Sequence, residues 1–301
     1  MSADFTDGKV RESGIDKWAA WLLETRHGGD PSRLEKMLPS LFEYRDTVLN
    51  HADIRAGDVV LDAGCGDGLL GFRAVDQVGD TGRVIFADIS AELLERCRQI
   101  ADELELARRC RFVQTGFPHL DELDDASVDV VVTRSVLIYV DDKQAAFEAI
   151  HRVLRPGGRL SVFEPINSFC WPEPGNRLWG FDITGYEEVG TKIKQRMEDI
   201  KAAPESMLGF DERDLLAHAE HAGFTELHLD YHAVIESDEP HDWETIMSYV
   251  PNPLSPPLGE ILADALDPAE HSAIADHIKT QIAAGQRQER RASAYLWAKS
   301  P

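Results

Sequence analysis

The segment Val59-Val60-Leu61-Asp62-Ala63-Gly64-Cys65-Gly66-Asp67-Gly68 decides the fold. An apolar run of buried-strand character meets an acid and three alternate glycines, and the helix-compatible Leu69-Leu70-Gly71-Phe72-Arg73-Ala74 follows. Strand, glycine turn and helix in that order open an α/β unit, in which glycines let backbone N–H groups approach a ligand closely. The acid at the strand end points into the crevice where such folds bind ligands. The turn therefore reads as the holder of a nucleoside cofactor.

Working outward, strands and helices alternate from about residue 57 to 165. The strand over 58–63 leads to a helix over 68–78, and Arg83-Val84-Ile85-Phe86-Ala87 forms a second strand ending at Asp88. Ser90 is placed to cap a helix over 91–105, whose Leu93, Leu94, Cys97, Ile100, Ala101 and Leu104 share one apolar face. A third strand spans 110–114 and a fourth 128–133. A helix opened by Asp141-Asp142 stops at the breaker cluster Arg155-Pro156-Gly157-Gly158. A fifth strand over 159–163 ends at Glu164-Pro165. This alternation calls for a parallel sheet covered by helices on both faces.

Both flanks differ in texture. Residues 1–13 are polar and read as loose; Trp18 to Leu23 and residues 32–50 read as two helices parted by Gly28-Gly29-Asp30-Pro31. Residues 1–50 are thus expected to form a helical cap on a domain running from 51 to 301, with lid insertions at about 166–205 and 238–290. Between those insertions lie a helix over 211–222 and a strand over 225–236. Asp267-Pro268-Ala269-Glu270 starts a late helix with N-cap, Pro at N1 and Glu at N3. The last strand reads as 292–298.

Bulk composition excludes several classes. The chain has 301 residues, 43% of them hydrophobic, with 31 basic against 54 acidic residues and a net charge of −23. So acidic a body repels nucleic acid and anionic membrane at long range. No run is apolar enough to span a bilayer, and no basic-then-apolar leader opens the sequence, so a cytoplasmic protein is expected. The four cysteines (Cys65, Cys97, Cys110 and Cys170) show no metal-ligand spacing. His228, Asp230 and His232 share one face of a strand, which is more commonly an exposed face than a metal site. No metal is expected.

The glycine triplet departs from the dinucleotide fingerprint G-x-G-x-x-G, because position 69 is leucine and the third glycine falls at 68. Asp88, about 20 residues beyond the turn, is placed to accept hydrogen bonds from a ribose diol. Read together, Val59–Gly68, Asp88, Arg134-Ser135-Val136-Leu137-Ile138-Tyr139-Val140 and Leu154-Arg155-Pro156-Gly157-Gly158-Arg159-Leu160 resemble, in order, four motifs of class I S-adenosylmethionine-dependent methyltransferases. The resemblance covers about 50–165 well and the last helix and strands loosely.

The resemblance implies a doubly wound, seven-stranded, mostly parallel α/β sheet, with an antiparallel last strand between the fifth and sixth. It implies that Gly64, Cys65 and Gly66 form the turn against the methionine part of S-adenosylmethionine, with Asp62 near its ammonium. Asp88 would take the ribose hydroxyls, Ile89 would pack on the adenine, and Gly116-Phe117 would border it. The carbonyl of Arg134 would meet the ammonium, with Ser135 beside it. Many relatives carry an aspartate where this chain has Gly116, which leaves the backbone at Phe117 to meet the adenine amine.

Methyl transfer from a sulfonium needs chiefly positioning and exclusion of water, and a base only where the acceptor carries a proton. Tyr139 and Glu164 stand at the mouth by this alignment and are the candidates to orient or deprotonate the acceptor. Trp171, Trp179, Phe181 and Tyr186, with Trp243 and Tyr249, suggest an apolar or aromatic small-molecule acceptor. The cysteines do not favour arsenite as acceptor, because Cys65 belongs to the cofactor turn and the others to core or lid. An NAD-linked oxidoreductase on a related fold and a non-catalytic cofactor-binding protein are the other readings of the same turn.

Overall fold

A computed structural model describes residues 16–26, 31–238 and 242–301. The polar tail over 1–13 and the Gly28-Gly29-Asp30 break lie outside the described residues. Seven strands make the main sheet: β1 (Val59–Ala63), β2 (Arg83–Asp88), β3 (Cys110–Gln114), β4 (Val128–Arg134), β5 (Leu154–Pro165), β6 (Thr225–Asp238) and β7 (Arg287–Lys299). Their order across the sheet is β3-β2-β1-β4-β5-β7-β6. β1 to β5 pair in parallel, whereas β7 runs antiparallel to both β5 and β6.

The alternation of side chains decides what each face buries. Val60, Val84, Phe86, Val130 and Val132 meet α1 (Pro31–His51), α2 (Leu69–Val78) and α3 (Ala91–Glu103), whose Leu49, Val75 and Cys97 join the same cluster. Leu61, Ile85, Val131 and Leu160 meet α4 (Lys143–Val153) and, later in the chain, Leu215 and Ala219 of Glu212–His221. Consecutive residues such as Val60 and Leu61 are both fully buried, one on each face, which is why β1 reads as an unbroken apolar run. Chain order reverses between β1 and β4, so a crevice opens at their carboxyl ends.

Two elements are longer than their sequence suggests. The cluster Pro156-Gly157-Gly158 is absorbed as a bulge: Leu154 faces Val128 and Arg159 faces Val130, with a register shift between. β7 begins at Arg287 rather than at 292, because its polar first residues pair with β6 as far as Asp238. Backbone hydrogen bonds hold that stretch, and they leave no hydrophobic period.

The two stretches expected as insertions share one core. A short ribbon (Arg177–Leu178 with Phe181–Asp182), α5 (Glu187–Asp199), α7 (Leu258–Ala265) and α8 (Pro268–Ala283) bury Leu178, Phe181, Ile183, Ile193, Ile261, Leu262, Ile274 and Ile278 together; α6 denotes Glu212–His221. Asp267 and Glu270 close a capping box at the start of α8, with Pro268 in its first turn. No helix among the described residues is long and apolar enough to cross a membrane.

Candidate active site

The turn after β1 is built by backbone hydrogen bonding. Gly64 and Cys65 both donate to the Ala87 carbonyl, at 2.8 and 2.9 Å. Gly64 has φ +73°, and a Cβ there would lie 2.4 Å from Val136 Cγ2. Only glycine lets the turn pass so close beneath the loop that follows β4. Asp62, 1% exposed, accepts from the Gly71 N–H at 2.8 Å and so pins α2 to the strand. Burial, with a smaller contribution from the nearby Asp88, pushes the Asp62 carboxyl up to about 7. Cys65 and Cys97 are buried beside the Gly66 carbonyl. Their mutual hydrogen bond and burial raise Cys65 well above the ordinary thiol range, so it is neutral packing within the turn.

Asp88 joins β1 to β2 across the crevice. Its Oδ2 accepts from Gly66 N–H at 2.9 Å and its Oδ1 from Ser90 N–H at 2.9 Å. Ser90 in turn caps α3 by accepting from Leu93 N–H. Burial raises the Asp88 carboxyl as well. Ile89 lies against Gly116, where a Cβ would sit 2.4 Å from Ile89 Cγ2. That contact explains the missing side chain at 116: the isoleucine branch fills its place. Phe117 lines the same hollow, next to a cis bond to Pro118.

The loop after β4 holds the remaining candidates. Ser135 has φ +55°, a strained value for a residue with a Cβ, and donates to the Phe163 carbonyl at 2.9 Å. Glu164 is fully buried. Its Oε1 accepts from Val136 and Leu137 N–H at 3.0 and 2.8 Å, and its Oε2 from Ile138 N–H at 3.2 Å. The carboxylate therefore fixes the loop that carries Tyr139, and it does not face the cavity as a group at the mouth would. Burial pushes it up to about 7. Tyr139 does line the cavity, with its ring edge-on to Trp18 at 5.0 Å. Burial raises its phenol far above the ordinary range. The Arg134 side chain lies over the Tyr44 and Phe163 rings, at 5.8 and 5.7 Å.

One cavity of about 650 Å³ collects these groups. Asp62, Gly64, Cys65, Gly66, Asp88, Ile89, Gly116, Phe117, Arg134, Ser135 and Tyr139 all line it. Its remaining wall holds Trp18, Trp21, Leu22, Met37, Met207 and Tyr249. The Trp21 indole donates to the Val250 carbonyl at 3.0 Å, which joins the N-terminal segment to the stretch around Tyr249 and Pro251 that also lines the cavity.

The aromatic residues expected to form the acceptor pocket are placed otherwise. Phe181 is buried in the insertions' own core, and Trp179, Tyr186 and Trp243 pack against it. Of that set only Tyr249 reaches the cavity. Trp18 and Trp21 line the cavity instead, and the sequence signal for them was the apolar spacing of a short helix ahead of the glycine turn. His228 stacks on Trp297 at 5.1 Å, and His232 meets Tyr295 edge-on, so the polar-looking face of β6 lies beside rings of β7.

A family model described as a methyltransferase domain matches residues 54–209, more than half of the chain, and the chain belongs to that family. The ubiquinone/menaquinone biosynthesis C-methyltransferase UbiE of Haemophilus ducreyi is 33% identical over 185 residues, which cover 60% of this chain and 70% of that protein. An arsenite methyltransferase of Halobacterium salinarum is 33% identical over 122 residues, 40% of this chain; the match spans only 31% of that protein's length. A geranyl diphosphate methyltransferase solved with S-adenosylmethionine shares the fold, with a TM-score of 0.52, 18% identity, and 91% and 94% of the two chains covered. The protein is an S-adenosylmethionine-dependent methyltransferase, and the oxidoreductase reading of the turn is set aside. The residues present suit that cofactor: two buried carboxylates with raised pKa values, Asp62 and Asp88, face one cavity and gain from a cationic, hydroxyl-bearing ligand.

Proposed function

We propose that this methyltransferase acts on an apolar or aromatic small organic molecule, by in-line displacement inside the roofed cavity. One observation carries the reading: Trp18, Trp21, Tyr139, Met207 and Tyr249 wall the same hollow that Asp62, Gly66 and Asp88 floor. Aromatic and thioether walls suit an acceptor held chiefly by burial. Asn167 adds one amide to that wall.

When bound, the cofactor supplies a methyl group on a sulfonium centre, whose departure leaves a neutral thioether. Asp62 would meet its ammonium and Asp88 its ribose hydroxyls, while Ile89, Gly116 and Phe117 would hold its base. The acceptor is positioned by the aromatic wall, and closure by Trp21 and Tyr249 excludes water. Glu164 is a positioning residue, because both oxygens are engaged by backbone N–H groups. Tyr139 stays protonated and orients the acceptor as a donor or as a surface. In this reading neither Glu164 nor Tyr139 removes a proton, and the acceptor brings a nucleophile that is already reactive.

The buried or half-buried state of all four cysteines favours an organic acceptor over arsenite. The similarity to the UbiE C-methyltransferase favours carbon as the methylated atom. Methyl-labelled S-adenosylmethionine incubated with the protein and a fractionated cell extract tests the reading. Label should appear in the organic-extractable fraction; label confined to water-soluble or inorganic products sinks it.

A further inference from the structure

Two guanidinium groups line the cavity and neither has an ion-pair partner within 4 Å among the described residues: Arg26 and Arg134. This is an unusual placement in a chain with 54 acidic residues against 31 basic ones. Arg134 projects from the end of β4 between the Tyr44 and Phe163 rings, and its Nε is buried without any hydrogen-bond acceptor. Arg26 follows the π-helical turn Trp21–Thr25 and lies over the Trp21 ring at 4.9 Å. The two charges oppose one another: after burial, Arg26 is the largest influence lowering Arg134, which falls to about 10. A buried donor left unsatisfied and a like charge within electrostatic reach both cost free energy, which Asp67 and Glu164 offset in part and a bound anion would offset further.

We propose that Arg26 and Arg134 form a clamp for a carboxylate inside the cavity, with the N-terminal segment supplying one jaw and β4 the other. The aromatic rings under both guanidinium planes hold them in place while leaving their N–H edges for a planar anion. The carboxylate comes either from the amino-acid end of the cofactor or from the acceptor. Arg134 sits where the first would apply, because Asp67 of the glycine turn is within its electrostatic reach. Arg26 acts on Tyr139 and Tyr249, in the aromatic half where the second would apply. The inference rests on the methyltransferase reading of the cavity.

The test is calorimetry on the full chain with three probes: S-adenosylhomocysteine, 5′-methylthioadenosine, which lacks the amino-acid end, and benzoate added to protein saturated with S-adenosylhomocysteine. Arg134→Gln, Arg26→Gln and the charge-retaining Arg134→Lys are compared with wild type, each checked for folding by thermal melting. A clamp on the cofactor weakens S-adenosylhomocysteine by roughly tenfold or more in both Gln variants, leaves 5′-methylthioadenosine unchanged, and is partly rescued by lysine. A clamp on the acceptor leaves both nucleosides unchanged and loses benzoate binding in both Gln variants. Equal binding of all three probes by folded wild type and variants overturns the clamp and leaves the methyltransferase reading standing. No nucleoside binding by wild type overturns both.

Discussion

Gly66 donates its backbone N–H to Asp88 Oδ2 at 2.9 Å, across 22 positions of sequence. One carboxylate thereby locks the glycine turn to the end of the neighbouring strand, and its second oxygen holds the start of α3 through Ser90. On the proposed reading, cofactor recognition and the packing of two α/β units depend on the same side chain.

Asp88→Ala should therefore lower both affinity and stability. Losing the acceptor of two N–H groups costs about 1–3 kcal/mol for each donor left buried and unsatisfied, and the affinity for S-adenosylmethionine should fall by at least about tenfold. Calorimetry and denaturant titration on one preparation check both, and unchanged affinity in the folded variant contradicts the assignment.

Cofactor affinity should depend on pH through Asp62. Burial places this carboxyl at about 7 rather than at 3.8, so below pH 7 it is largely protonated and must lose a proton to meet an ammonium group. The dissociation constant should rise as pH falls below 7, approaching about tenfold per pH unit. In Asp62→Asn the dependence should flatten, with weaker binding at pH 8; parallel profiles for the two proteins would rule this out.

Gly64→Ala should disrupt the site without touching any charged group. The added Cβ meets Val136 Cγ2 at 2.4 Å and sits at φ +73°. Strain and overpacking together cost about 2–4 kcal/mol. The melting temperature should fall and cofactor binding weaken, whereas Gly175→Ala, with open space around its Cβ, should leave both unchanged.

Glu164 should appear in the pH profile of stability. Its folded-state value of about 7 lies above the ordinary 4.5, so the folded protein holds this proton more tightly than the unfolded chain. Its contribution is fully present below pH 4.5 and is lost as pH rises through about 7. Glu164→Gln should shrink the stability difference between pH 5 and pH 8 measured by denaturant titration. An undiminished difference would show that Glu164 does not titrate in this window.

Tyr139→Phe should retain most turnover, since the buried phenol stays protonated and its ring packs on Trp18. A loss smaller than about tenfold is expected, against about 10²-fold or more for removal of a general base. Tyr139→Ala should lose far more by opening the aromatic wall. Single-turnover rates with the acceptor that the labelled extract yields separate the two roles.

Much of the fold was legible because Val60, Val84 and Val130 belong to an apolar pattern that repeats with every α/β unit. Asp62, Gly64, Gly66 and Asp88 were legible because a turn of that composition has few uses. Glu164 was not, because nothing in its neighbours announces three N–H groups converging from residues 136–138. The aromatic wall was misassigned for a related reason: Trp179 and Trp18 are equally aromatic, and only the tertiary fold sends one into the insertions' core and the other to the cavity. Arg287–Arg291 escaped detection as strand because ladder pairing, unlike burial, leaves no hydrophobic period.

The Trp21–Val250 hydrogen bond also has a meaning for synthesis of the chain. Its two partners are separated by 229 positions, and β7, which covers the edge of β5 from Arg159 to Pro165, comes later still. A fragment confined to the family-matched residues 54–209 would carry the glycine turn and Asp88 but neither Trp21 nor β7. On the ribosome, the glycine turn and Asp88 are made long before Val250 and β7. The nascent chain passes through a stage that holds the recognition residues and lacks the enclosure that would make them an enzyme.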